Sequence, residues 1–228
     1  FSTTFEPYQS FCSFKIRNYK LDYIKREFIW YINGNKKDLS ICHYAKMWNS
    51  FIDDGIIHSN YGQYIFGELN QFDYVIKELS RDKDSRRAII TILQPYHTNK
   101  EKIIDCPCTQ SLGFRIRDNK LNMTVKMRSQ DAYFGMGSDV PIFSFIHEMI
   151  LNKLKQIYQE LEYGSYYHSV DSFHIYDKHF EFLANLLSGQ DDYIEIDCPK
   201  ISNHTEVDFI KKNNFFEIPD YFVFTSWL

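Results

Sequence analysis

The residues with chemical potential fall in a few short runs. Cys106-Pro107-Cys108 places two thiols two positions apart. A structural zinc site needs about four ligands, and no second cysteine pair stands elsewhere in the chain. Two readings stay open: buried cysteines, or a nucleophile whose thiolate is favoured by basic neighbours. Arg86-Arg87 follows Asp82-Lys83-Asp84-Ser85. It is either part of a solvated turn or a phosphate clamp, since guanidinium forks match phosphate oxygens. The run from Met127 to Asp139 reads MRSQDAYFGMGSD. It sets Arg128 beside Ser129 and two carboxyls, Asp131 and Asp139, among glycines and aromatics. His174 and Tyr176 are two residues apart, so on a strand they share a face. Core packing explains that pair as well as ligand binding does. Glu27, Trp48 and Tyr61, taken alone, read as surface or core positions.

Composition limits what these groups can serve. The chain has 228 residues, 44% of them hydrophobic, enough for one domain spanning 1–228 with a full core. We expect residues to precede Phe1, because the first residue is not methionine. The formal net charge is -4, so no global basic field favours nucleic acid. Five cysteines and no signal-like opening point to reduced thiols in a cytoplasmic setting, that of a host cell if the gene is viral. No apolar run is long enough to span a bilayer, so neither nucleic acid nor membrane is expected as a partner.

Several elements must position these groups. Phe11 to Ile16 reads as a strand. Leu21, Ile24, Phe28, Tyr31 and Ile32 have helical spacing, with Gly34 placed as a C-terminal cap. Asp73 to Leu79 reads as a short helix, and Ala88 to Leu93 as a buried strand stopped by Pro95. Ser111 to Ile116 and Leu121 to Met127 form a hairpin around Asp118-Asn119-Lys120. A long helix is expected from Ser138 or Asp139, with Pro141 in its first turn. Another runs from Asp177 to Leu187, ended by Gly189. The tail from Tyr193 reads as extended, with aromatic pairs at Phe215-Phe216 and Tyr221-Phe222. Strands and helices mix without a regular βαβ beat, which predicts an α+β fold.

In their order along the chain, these runs resemble the thymidylate synthase family, from about Tyr19 to Phe182. Glu27-Phe28-Ile29-Trp30-Tyr31-Ile32-Asn33-Gly34 is similar to the family helix with a catalytic glutamate. Lys46-Met47-Trp48 resembles its folate-side tryptophan segment, and Ser59-Asn60-Tyr61-Gly62 its tyrosine-glycine turn. Asp84-Ser85-Arg86-Arg87, Pro107-Cys108, Arg128-Ser129 with Asp131 and Phe134-Gly135, and His174-Ile175-Tyr176 complete the likeness. The resemblance implies a mixed β-sheet flanked by helices and a homodimer joined through the sheet face. Arg86 and Arg87 would then reach the partner's nucleotide phosphate, together with that site's Arg128 and Ser129. It implies Cys108 as the nucleophile at pyrimidine C6, with Glu27 organising proton transfers and Tyr61 beside them in the catalytic set. Asp131 would serve the reaction by accepting from the pterin ring, with Trp48 and Gly135 on the folate side. His174 and Tyr176 would hold the sugar 3′-hydroxyl. The co-substrate is 5,10-methylenetetrahydrofolate, and no metal is implied. A basic loop should precede the first strand, yet Phe1 to Gln9 holds no Arg or Lys.

Asp139 is the most informative departure. Thymidylate synthases carry an asparagine there, whose amide pairs with uracil N3–H and O4. Cytosine inverts that edge, with N3 an acceptor and the 4-amino group a donor. A carboxyl suits it, one oxygen accepting from the amine while a shared proton completes the second bond. This is the pattern of the deoxycytidylate hydroxymethylases, a branch of the family. The competing reading is a helix N-cap, for which Asp is favoured. Thr109 stands where histidine usual to thymidylate synthases would be, Phe51 replaces a tryptophan, and Gly137-Ser138 replaces proline-phenylalanine. The expectation is transfer of a one-carbon unit to C5 of a cytidine monophosphate, dCMP before CMP, finished by water rather than hydride. Alternatives are a thymidylate synthase acting on dUMP, a CMP 5-hydroxymethylase, and a non-catalytic nucleotide-binding relative. Keeping Cys108, Glu27, Arg128 and Asp131 together argues against the last.

Overall fold

The computed structural model describes residues 1–9, 12–14, 20–99, 102–189, 193–195, 199–213, 218–220 and 222–228. Strand β1 (Ser2–Phe5) is followed by β2 (Cys12–Phe14), which falls within the expected first strand; Phe11, Lys15 and Ile16 lie outside the described residues. Helix α1 (Leu21–Asn33) buries Ile24, Phe28, Tyr31 and Ile32 and ends on Gly34, whose φ of 64° is the left-handed cap expected there. Short helices α2 (Ile41–Tyr44) and α3 (Gly62–Ile65) flank a 3-10 turn over Lys46–Phe51. Helix α4 (Gln71–Arg81) starts where the Asn70 side chain accepts from the Asp73 amide. Strand β3 (Ile89–Thr91), helix α5 (Pro95–Thr98), and strands β4 (Thr109–Arg117) and β5 (Lys120–Asp131) follow. Asp118 and Asn119, both with positive φ, make the two-residue hairpin turn between the last two. The chain continues with α6 (Gly135–Leu154), β6 (Glu162–His174), α7 (Phe180–Leu187), β7 (Tyr193–Glu195), α8 (His204–Lys211) and α9 (Val223–Trp227).

Five strands form one mixed sheet in the order β1-β6-β5-β4-β3. β5 and β6 run parallel, and the other pairs are antiparallel. β2 and β7 make a separate antiparallel pair. One sheet face, carrying Leu112, Phe114, Met123, Val125, Tyr166 and Val170, is buried. α6 packs against β5 and β6 and is itself packed by α1, α4 and α8. The expected mixed sheet flanked by helices is present. Among the described residues, no helix is long and apolar enough to cross a membrane.

Two expectations are corrected. α6 begins at Gly135, so Pro141 lies inside the helix rather than in its first turn. The cause is Asp131, whose carboxylate accepts from the amides of Tyr133 (3.2 Å) and Phe134 (2.7 Å) and turns the chain early. The tail is not extended throughout. α8 buries Val207 and Ile210 at helical spacing, and Phe224 of α9 packs on Phe28 and Phe145. Buried Glu206 ties the two together by accepting from the Thr225 amide and hydroxyl, both at 2.9 Å. Phe215, Phe216 and Tyr221 lie outside the described residues. Strand β1, which pairs with β6 at Phe5–Tyr166, was not among the expected elements.

The approach of α1 to α3 sets the back of the site. A Cβ at Gly62 would stand 2.0 Å from the Tyr31 carbonyl oxygen and 2.3 Å from its Cα. Only backbone movement relieves that clash, so Gly62→Ala is expected to cost roughly 3 kcal/mol of stability. Urea unfolding measures this, and an unchanged midpoint contradicts the packing described.

Candidate functional site

The site is built where β4 begins, β5 ends and α1 and α6 face one another. Cys108 immediately precedes β4, and its carbonyl accepts from the Arg128 amide at 2.8 Å. The Arg128 side chain folds over the same loop. Its Nε donates to the Pro107 carbonyl at 3.0 Å, and Nη2 to the Cys106 carbonyl at 2.6 Å. Nη2 also lies 3.7 Å from Cys108 Sγ. Burial pushes the Cys108 thiol above its ordinary 9.0; Arg128 opposes that shift, and the Asp139 and Asp105 carboxylates add to it. Asp105 is held in turn by the Ser59 amide (2.6 Å) and hydroxyl (2.5 Å).

Glu27 projects from α1 and is almost fully enclosed, at 3% exposure. Burial, then the Asp139 charge, lift its carboxyl to about 8, against hydrogen bonds from Tyr23, Ser138 and Tyr31. The Tyr31 hydroxyl donates to Oε1 at 3.4 Å, while Oε2 has no hydrogen-bond partner among the described residues. Trp48, in the 3-10 turn, donates from Nε1 to the Tyr23 hydroxyl at 3.0 Å and so abuts the same cluster. Tyr61 packs on Tyr31 with ring centres 5.4 Å apart, and its hydroxyl accepts from the Thr109 amide at 3.3 Å. Thr109 Oγ1 is buried with no hydrogen-bond partner among the described residues. The orphaned Glu27 Oε2 and Thr109 Oγ1 both lie next to this cluster, which suits a polar ligand or water.

Asp139 does not cap α6. The helix starts four residues earlier, after Phe134, and the Asp139 carboxylate lies close enough to Glu27 and Cys108 for its charge to act on both. One oxygen accepts from Gln130 Nε2 at 3.1 Å. Solvent still reaches the group through the cleft, but the surrounding protein raises its pKa from 3.8 to about 7. Its charge is felt at Glu27, Cys108, Tyr23, Tyr31, Tyr61 and Tyr166, which places all of them near this carboxyl.

Other expected residues stand further out. Asp131 and His174 are side by side at the end of the parallel pair, where the Ala132 amide donates to the His174 carbonyl at 2.9 Å. β6 ends at His174, so Tyr176 lies just beyond the strand; the two rings still meet edge-on at 5.1 Å. Ser129 pairs with Ser172 across the same strands, and Gly135 opens α6. Arg86 and Arg87 are exposed at the far end of the sheet. Ile89 pairs with Gly113, five residues along β4 from Cys108, so the arginines lie roughly 20 Å from their own thiol. Sequence reasoning missed Tyr23, Ser138, Gln130 and His168. The structure shows burial alternating from Leu121 to Met127 and then breaking phase to bury Gln130, a break the residue types alone do not announce. A separate cavity of about 320 Å³ lined by His58, Tyr96, Asn99 and Ile103 holds none of these residues.

Two outcomes follow from these charges. Removing the Asp139 carboxylate should lower the Cys108 pKa, and Arg128→Met should raise it. The pH profile of iodoacetamide labelling at Cys108, read by peptide mass, checks both; shifts in the reverse directions contradict the arrangement. Stability should also depend on pH. Glu27 and Glu148 keep protons to about 8 and Asp139 to about 7, whereas unfolded carboxyls lose them near their ordinary values of 4.5 and 3.8. The native state therefore binds more protons between about pH 6.5 and 8, and stability falls as pH rises through that window. Below it, buried His97, His147 and His168, pushed down to about 4, 3 and 4, act in the opposite direction. Urea unfolding at several pH values should show the fall, reduced in Glu27→Gln. A flat or rising profile from pH 6.5 to 8 contradicts it.

Comparison with known proteins agrees with this architecture. The family model described as thymidylate synthase matches residues 3–223. The deoxycytidylate 5-hydroxymethyltransferase of Enterobacteria phage T4 is 34% identical over 169 residues, covering 70% of this chain and 68% of its own length. The deoxyuridylate hydroxymethyltransferase of Bacillus phage SP01 is 30% identical over 165 residues, 66% of this chain and 42% of its own. The thymidylate synthase of Francisella philomiragia is 26% identical over 235 residues, 95% and 83% respectively. With the match running through nearly all of the fold and both sides of the cleft, the chain belongs to the thymidylate synthase family.

Proposed function

We propose that this chain transfers a one-carbon unit from 5,10-methylenetetrahydrofolate to C5 of dCMP, giving 5-hydroxymethyl-dCMP. The observation that carries this reading is Asp139, a carboxyl close to Cys108 and Glu27 where an asparagine would suit uracil. The similarity to phage deoxycytidylate 5-hydroxymethyltransferases supports it.

Pyrimidine C5 is a weak nucleophile. Addition of the Cys108 thiolate at C6 makes C5 enamine-like and able to attack the one-carbon unit, which the folate supplies. Arg128 stands 3.7 Å from the sulfur and favours the thiolate. Nη1 makes no hydrogen bond among the described residues, which leaves it for an anion such as the nucleotide phosphate, with Ser129 beside it. Asp139 shares a proton with N3 and accepts from the 4-amino group. Glu27, protonated near neutral pH, exchanges protons with the ring through water and then serves as base toward the water that completes the hydroxymethyl group. Loss of the C5 proton, departure of tetrahydrofolate, addition of that water and expulsion of Cys108 close the balance with no change of oxidation state. Trp48, Asp131 and Gly135 would face the folate, and Asp131 keeps lone pairs beyond the two amides it already accepts. His174 and Tyr176 would hold the sugar hydroxyl.

Uracil is the competing base. A neutral Asp139 carboxyl can accept from N3–H and donate to O4, and this carboxyl is about half neutral at pH 7. The Bacillus phage SP01 relative is named for deoxyuridylate. The position of Arg86 and Arg87, roughly 20 Å from their own Cys108, supports their serving a second copy's site in a homodimer.

Incubation with folate and nucleotides tritiated at C5 tests the reaction. Release from dCMP well above dUMP, with a hydroxymethyl product by mass spectrometry, is expected. Release from dUMP alone, or dihydrofolate formed in equal yield with product, overturns it. For the shared site, mixing inactive Cys108→Ala with inactive Arg87→Ala subunits should restore activity, and no recovery contradicts it.

A further inference from the structure

Behind Asp139 lies a chain of buried polar groups that the reaction does not itself use. The Tyr166 hydroxyl is 2.7 Å from His168 Nδ1. His168 Nε2 is 2.7 Å from Gln130 Oε1. Gln130 Nε2 donates to Asp139 Oδ2 at 3.1 Å. Tyr166, His168 and Gln130 are 3%, 1% and 2% exposed, and Phe5 of β1 packs against both Tyr166 and His168. We infer that Gln130 and His168 form a directed relay that makes Asp139 Oδ2 a fixed acceptor and leaves Oδ1 to carry the proton toward the base, so that both are positioning residues for base selection. This rests on the proposed reading of Asp139 as the base-edge contact.

The direction follows from counting donors and acceptors. Each ring nitrogen of a neutral imidazole is either a donor or an acceptor, and an amide has one end of each kind. With Oε1 facing Nε2, His168 must carry its proton on Nε2, and Nδ1 must accept from Tyr166. Each of the three links then joins a donor to an acceptor. In the reversed chain, Nδ1–H would donate to the tyrosine oxygen, leaving the Tyr166 O–H without an acceptor among the described residues, at the cost of a buried unmade bond. The reversed chain would also require a proton on Asp139 Oδ2 at all times. Burial holds His168 well below the usual imidazole range, consistent with a neutral ring. Gln130 is thus the group that stops the carboxyl from exchanging its two oxygens. Without it, Asp139 could turn over and present its donor to either base edge.

Two measurements test the relay. In protein labelled with ¹⁵N-histidine, long-range ¹H–¹⁵N spectra at pH 7 should show His168 neutral with its proton on Nε2. A proton on Nδ1, or an imidazolium, overturns the stated direction without reference to any nucleotide or variant. In Gln130→Met, which keeps length and removes both polar ends, the ratio of kcat/KM for dCMP over dUMP should fall by roughly tenfold or more. A merely structural role would lower both rates together and leave the ratio intact, which overturns the inference while the proposed function stands. If the unaltered protein shows no preference for dCMP, the reading of function fails instead, and the His168 tautomer alone decides whether the relay exists.

Discussion

Two carboxyls and a thiol stand close together among largely buried groups, and much of the structure exists to make that tolerable. Isolated charges in such a place are costly, so Glu27 and Asp139 hold their protons close to neutral pH. Each is answered by polar groups from a different element. Tyr23 and Tyr31 come from α1, Ser138 from α6 and Gln130 from β5. The fold brings these together by running β5 and β6 parallel across α6, so that the strand ends and the helix start meet around Cys108. Gly62 lets α3 lie against the Tyr31 backbone, which brings Tyr61 to the Thr109 amide.

The same crowding explains a resting thiol. Burial and the Asp139 and Asp105 carboxylates favour the protonated form of Cys108, and Arg128 pulls the other way. Because Arg128 is tied to the carbonyls of Pro107 and Cys106, its charge is fixed near the sulfur, and no carboxylate pairs with it among the described residues. The balance between burial and this one cation is what nucleophilic chemistry at Cys108 depends on.

Much of this was legible in the sequence where local chemistry is decisive. The helical spacing from Leu21 to Ile32, Gly34 as its cap and the Asp118-Asn119 turn each act over a few residues, and they stand as expected. β6 was not legible, because its buried face is Tyr166, His168 and Val170 rather than an aliphatic run. The start of α6 was placed late because Gly135 and Gly137 read as loop, while the real determinant was Asp131 accepting two amides. In the site, Glu27, Cys108, Arg128 and Asp139 were nominated from the sequence, and the structure brings them together. Their supports Tyr23, Ser138, Gln130 and His168 were missed, since side-chain bonds across elements leave no periodic trace. Arg86 and Arg87 could be nominated but not located, because only the strand register reveals their distance from Cys108.

The central claim is that the Asp139 carboxyl, held in this cleft, reads a cytosine edge. Calorimetric titration of the protein with dCMP and with dUMP at pH 7, repeated on Asp139→Asn, tests it most directly. The account predicts dCMP bound more tightly by roughly tenfold or more, with the order reversed in the asparagine variant. Equal affinities in the unaltered protein, or tighter binding of dUMP, would contradict it.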